Sequence, residues 1–320
     1  MKRAVNEQAI VTAELHGQRL DAAAATLFDQ YSRSRLQTWI KSGELCVNGQ
    51  QLRPRDKVSQ GDELSLRAEL EEAGAWQAEN IALDIVYEDD SLMVIDKPAG
   101  LVVHPAAGHA SGTLVNALLA HAPALSTLPR AGIVHRLDRD TTGLMVVART
   151  LQAHHSLVQQ LQARTVSRQY CAICTGTFSG GGTIDAPMGR HPRQRIKMAV
   201  VNHGGKHAVT HYRIAKRFAN HTQLLVKLET GRTHQIRVHL AHKHHPLLGD
   251  PLYGGRPRLP AGASDVLIKA LREFPRQALH AQQLGLEHPE TGEECLFESA
   301  LPQDMQDLLA VLEAEDAGIA

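Results

Sequence analysis

The chain has 320 residues, 43% hydrophobic and 4% aromatic, and its 34 Lys and Arg balance its 34 Asp and Glu. That length favours two domains, the larger able to bury a full core. No stretch has the apolar length of a membrane span, residues 1–7 lack the hydrophobic segment of a signal peptide, and four cysteines are too few for a disulfide framework, so a cytosolic protein without membrane association is expected.

Residues 1–16 read as an N-terminal tail, and residues 17–68 as a small domain. An alanine-rich helical stretch runs from Ala22 to Phe28. A second helix follows, with Leu36, Trp39 and Ile40 on one face. Residues 43–50 read as a strand ending in an Asn-Gly turn. This order of elements resembles an S4 RNA-binding domain, and the resemblance makes Arg33, Arg35 and Lys41, on or beside the second helix, candidate RNA contacts. Residues 69–80 are acidic and poorly patterned, a linker by composition. Residues 81–320 form the second domain. Its strand-like and helix-like segments alternate irregularly, which predicts an α+β fold over a regular βαβ series.

Short apolar runs bounded by turn residues read as buried strands. On that basis residues 85–87 and 92–98 are strands, and residues 131–134 and 144–148 are strands flanking the polar loop His135-Arg136-Leu137-Asp138-Arg139-Asp140-Thr141-Thr142-Gly143. Asp138 lies between Arg136 and Arg139, and a carboxylate beside guanidinium groups stays ionised, as a nucleophile or base requires. From the residues alone, good turn chemistry is the better account of this segment. Downstream, Ser167-Arg168-Gln169-Tyr170 leads into the apolar Cys171-Ala172-Ile173, and residues 224–230 read as a strand. Gly231-Arg232-Thr233-His234-Gln235-Ile236-Arg237 then breaks into a helix that buries Ile236 and Leu240.

Charge is segregated along the chain. Residues 186–258 hold 14 Lys and Arg against Glu229 and Asp250, a local charge of 14 − 2 = +12, together with ten histidines. Residues 62–90 hold ten acids and one base, and residues 287–320 ten acids and no Lys or Arg. Such segregation makes a basic face for a polyanion. Cys171 and Cys174 have C-x-x-C spacing, but on a strand they face opposite sides, so no metal or redox centre is expected there. His239, His242, His244 and His245 lack a carboxylate in ligand register and read as part of the basic cluster.

Three segments together resemble the RNA pseudouridine synthase family: residues 96–105 (Asp-Lys-Pro-x-Gly-x-x-Val-His-Pro), the loop around Asp138, and residues 228–237 (Leu-x-Thr-Gly-Arg-x-His-Gln-Ile-Arg). The resemblance implies a catalytic domain built on a mixed, mainly antiparallel central sheet flanked by helices. It makes Asp138, not Asp140, the catalytic carboxylate, Tyr170 the aromatic that packs on the target uracil, and Arg237 the partner of Asp138. Arg136, Arg168, Arg232 and His234 are candidate RNA contacts. No metal or other cofactor is implied, because the reaction is an isomerisation. Residues 129–135, 190–192, 249–258, 276–281 and 302–305 are similar to the branch acting on large-subunit ribosomal RNA, free or in a pre-assembled large subunit. They imply uridines of the helix 69 hairpin as target, and a monomer is expected as the working form. A sister synthase for other uridines and a non-catalytic S4-type assembly protein are the alternatives.

Overall fold

In the computed structural model, which describes residues 2–29, 31, 33–71, 76–105, 111–194 and 196–318, the chain divides after Ala75 into two units. The first contains strand β1 (Lys2–Ile10), helices α1 (Leu20–Leu27) and α2 (Arg33–Ser42), and strands β2 (Leu45–Val47) and β3 (Glu63–Glu71). The strands pair antiparallel in the order β1-β3-β2. The expected tail is therefore a strand, paired with β3 from Lys2↔Glu71 to Ile10↔Glu63. Its pattern is hard to read because Val5 is buried while Ile10, the other large apolar residue of the strand, is 65% exposed. The expected linker also begins too early, since β3 runs on to Glu71; residues 72–75 of that linker lie outside the described residues.

Leu20, Ala23, Ala24, Leu36, Trp39 and Ile40 bring α1 and α2 together over the sheet. Among them sits Asp21, fully buried, accepting from Arg19 Nε at 3.0 Å, Arg33 Nη2 at 3.0 Å and Gln37 Nε2 at 2.6 Å. Burial alone would raise its pKa, but these donors hold it at about 2. Its stabilising effect is thus complete above the ordinary carboxylate value and is lost as pH falls toward 2. Asp21→Asn should cost this unit about 1–3 kcal/mol at neutral pH. Urea unfolding followed by Trp39 fluorescence in a Trp76→Phe background measures this, and an unchanged midpoint would refute it.

The second unit is organised by nine strands: β4 (Asp84–Glu88), β5 (Leu92–Lys97), β6 (Thr142–Ala148), β7 (Ser167–Thr175), β8 (Gly182–Asp185), β11 (Val209–Arg217), β12 (His221–Leu228), β13 (Leu279–Glu287) and β14 (Glu294–Glu298). Their order is β4-β5-β6-β13-β7-β12-β11-β8, with β14 on β13. β6 and β13 run parallel and the other described pairs antiparallel. A separate ribbon pairs β9 (Met188–Arg190) with β10 (Met198–Val200). β6 is buried along its whole length because both faces are covered. Met145 and Val147 enter one core, with α3 (Leu114–His121) and α5 (Gln235–His242); Leu144, Val146 and Ala148 enter a second, under α4 (Leu151–Ala163). The same alternation sends Tyr170, Ala172 and Cys174 of β7 into the first core. Cys171 and Ile173 go into a third core, beneath α6 (Asp265–Glu273) and α7 (Gln303–Asp316). The two cysteines therefore lie on opposite faces of the sheet.

Residues 131–134 depart from expectation. They lie in a 3-10 turn (Pro129–Gly132) and an isolated bridge from Ile133 to Val147, not a strand. Pro129 opens the turn, and Arg130 and Ala131 are left-handed at φ 53° and 52°, which no strand permits. The register β6–β13–β7–β12, through His280↔Thr142, Ala281↔Tyr170 and Val226↔Tyr170, aligns the loop before β6, the start of β7 and the end of β12. Those three segments carry the candidate residues.

Candidate active site

A cavity of 780 Å³ opens where these segments meet, lined among others by His135, Asp138, Tyr170, Thr230, His234 and Arg237. The loop bearing Asp138 is held from beneath by buried cations. Lys97, fully buried at the end of β5, donates from Nζ to the carbonyls of Pro98 (2.6 Å), Leu101 (3.1 Å) and Arg139 (2.8 Å). Burial draws its pKa down to about 8. Arg276 Nη1 donates to Asp140 O at 3.2 Å, while its Nε and Nη2 hold Asp304 of α7 at 2.6 and 2.8 Å. Gly143 closes the loop at φ 109°, where a Cβ would lie 2.3 Å from Ala281 O.

The side chain of Asp138 is 16% exposed. Arg237 Nη1 donates to its Oδ2 at 3.0 Å, the contact expected from the motif. The guanidinium beside the carboxylate is thus a distant one, not that of a sequence neighbour: Arg139 donates to Gly100 O and lies 3.7 Å from Asp140. The other donors of Arg237, Nε and Nη2, bind Asp250 at 2.7 and 3.0 Å, and its guanidinium lies 5.1 Å from the Tyr253 ring centroid. Burial opposes charge on both partners. Even so, the pairing raises the pKa of Arg237, and Asp250 is held below the carboxylate range by Arg237 and by the Tyr253 and Leu252 amides. Asp250 acts as a clamp that points one nitrogen of Arg237 at Asp138.

His234 caps α5 in the left-handed region, φ 58°. Tyr253 Oη accepts from Met198 N at 2.9 Å and lies within hydrogen-bond reach of His234 Nδ1, 2.8 Å away. Burial lowers the pKa of His234. Its Nε2 lies 3.9 Å from Asp138 Oδ1. Tyr170 is 5% exposed, and burial raises the pKa of its phenol.

The RNA pseudouridylate synthase family model matches residues 91–242, and the S4 domain model residues 18–64. Ribosomal large subunit pseudouridine synthase D of Pseudomonas aeruginosa is 62% identical over 312 residues, covering 98% of this chain and 97% of that protein. The chain belongs to the RNA pseudouridine synthase family. The protein of the same name from Escherichia coli (strain K12) is 52% identical over 316 residues, covering 98% and 97%. Among solved structures, human RNA pseudouridylate synthase domain containing 4 matches with a TM-score of 0.57 at 28% identity, over 72% of this chain and 93% of that one. The S4 domain and the mixed sheet flanked by helices agree with the expected fold class.

Within this synthase the candidate RNA contacts occupy different settings. Arg136 is exposed at the cavity; Arg232 is exposed and donates from Nε to His207 O at 3.1 Å. Arg168 is 7% exposed and reaches the cavity from β7. In the S4 unit, Arg33 is tied to Asp21, the Arg35 guanidinium lies 5.9 Å from the Trp39 ring centroid, and Lys41 is exposed in the last turn of α2. The histidine cluster is not one surface. His239 is fully buried, 2.8 Å from Thr210 Oγ1 and 3.0 Å from Ala186 O, and burial lowers its pKa. His245 packs 4.2 Å from Phe178. Lys97, Asp250, Tyr253 and Arg276 were not singled out by the sequence reading.

Proposed function

We propose that this synthase converts uridine to pseudouridine in large-subunit ribosomal RNA, with the helix 69 hairpin loop as target and Asp138 as the catalytic group. The observation that carries this reading is a carboxylate facing a nucleotide-sized cavity, aligned by a clamped arginine and flanked by a buried tyrosine. The relatives named ribosomal large subunit pseudouridine synthase D support the substrate class.

The target base leaves its stack at a cost of a few kcal/mol, least in an unpaired loop, and enters the cavity against Tyr170. Oδ2 of Asp138 is committed to Arg237, so Oδ1 is the oxygen left for the ribose. It either attacks C1′ or removes a proton from the sugar. In both routes the C1′–N1 bond breaks, the base turns, and C1′ bonds to C5, with the Asp138–C1′ bond breaking in the first route and the sugar regaining its proton from Asp138 in the second. C5 loses its proton and N1 gains one, so the change is an isomerisation without net oxidation or hydrolysis. The proposed working form is a monomer.

Carbodiimide modification and primer extension on large-subunit RNA test the proposal, with new stops expected in the helix 69 loop. Stops elsewhere would keep the chemistry and remove the hairpin, and none on free RNA or isolated subunits would favour the non-catalytic binding protein. The +12 stretch makes a second prediction. RNA affinity should fall steeply between 50 and 200 mM salt, as several phosphates release their counterions. A flat titration would contradict a phosphate-tracking face.

A further inference from the structure

Arg168 Nε is buried without a partner, the one buried side-chain nitrogen or oxygen in that position among the described residues. Its guanidinium makes a single long contact, Nη2 to Glu229 O at 3.5 Å, at the limit of hydrogen-bond reach. The Glu229 carboxylate is committed elsewhere, to Arg164 at 2.8 Å and His211 at 2.6 Å. The contrast with the other buried arginines is sharp: Arg237 has two carboxylates, and Arg276 has one and three carbonyls. A buried cation with an unmade hydrogen bond and no counter-charge is unfavourable unless a ligand completes it.

The surroundings are shaped for that side chain. Arg168 precedes Tyr170 by two residues on β7, so both project from the same face toward the cavity. A Cβ on Gly231 would lie 2.8 Å from Arg168 Nη1, so the glycine of the Thr-Gly-Arg turn clears room for the guanidinium. Arg232, on that turn, and Arg164, which ends α4, stand more exposed at the cavity.

We infer that Arg168 is the anchor for one backbone phosphate adjoining the target uridine. The inference rests on the proposed reading of the cavity as a nucleotide site. The fork of Nε–H and Nη–H matches two oxygens of one phosphate. Uracil is neutral, whereas an unpaired buried cation calls for an anion, and the phosphodiester is the anion RNA provides.

The test uses the full chain and a synthetic hairpin carrying the target uridine. A neutral methylphosphonate is placed at its 5′ or its 3′ linkage. Arg168→Met should weaken binding about tenfold or more and lower the slope of log affinity against log salt by about 1. The single-turnover rate at saturating RNA should stay within a few-fold, and Arg168→Lys should recover part of the affinity. Wild-type protein should show the same loss on one methylphosphonate RNA, and Arg168→Met should lose nothing further on that RNA. Additive losses, or a defect confined to the saturating rate, would overturn the anchor and assign Arg168 to the base or the chemistry. Because the methylphosphonate comparison uses wild-type protein, equal affinity for all the RNAs overturns the anchor even if the variant fails to fold. Wild-type protein that forms no pseudouridine would overturn the proposed function, while these binding measurements would still decide the anchor.

Discussion

Asp138→Asn should abolish pseudouridine formation while RNA affinity stays near that of the unaltered protein. Asparagine keeps the shape of the side chain and an oxygen that accepts from Arg237 Nη1, so the loop has no reason to move. Arg237 keeps its two hydrogen bonds to Asp250, which leaves the buried guanidinium compensated. What is lost is the charge, and with it both the nucleophile and the base. Turnover should fall by about 10⁴-fold or more, from the upper range for a positioned acid–base group to that for a nucleophile. Single-turnover assays and filter binding on the same RNA measure the two quantities. A parallel loss of binding would make Asp138 an RNA contact, and surviving turnover would remove it from the chemistry.

The fold was legible where alternation or an unbroken apolar run had one reading. β6 is apolar on both faces because it is covered on both, and Cys171 and Cys174 alternate as any strand must. β1 was not legible, because it buries Val5 and exposes Ile10. Residues 131–134 imitate a strand in composition, yet Arg130 and Ala131 turn left-handed after Pro129. At the site, local spacing could not separate Asp138 from an ordinary turn aspartate; the family's motifs pointed to it. The supports of that loop join residues far apart in sequence, such as Lys97 to Arg139 and Arg276 to Asp140, which no spacing rule encodes. The basic stretch contains two acids, and both have charge partners: Glu229 holds Arg164 and His211, and Asp250 holds Arg237. A lone acid in a basic run is a candidate clamp.

Asp250 should accordingly matter more to folding than Asp138 does, although both bind the same arginine. Asp250 is 1% exposed and accepts from Arg237 Nε and Nη2 and from the Leu252 and Tyr253 amides. Asp250→Asn removes the main counter-charge of an arginine that is itself 6% exposed and places an NH₂ donor among those N–H groups. Breaking one side of a buried pair costs about 3–5 kcal/mol, a large part of the roughly 5–15 kcal/mol that holds a domain together. The pKa of Asp250 is lowered in the fold, so its contribution is complete above the ordinary carboxylate value and lost as pH falls below it. Urea unfolding at pH 7 should therefore separate Asp250→Asn widely from the unaltered protein, and the two curves should converge in acid. Asp138→Asn, which leaves the clamp intact, should move the midpoint far less. If the two substitutions destabilise equally, Arg237 is held by both carboxylates alike, and the division into a structural carboxylate and a chemical one fails.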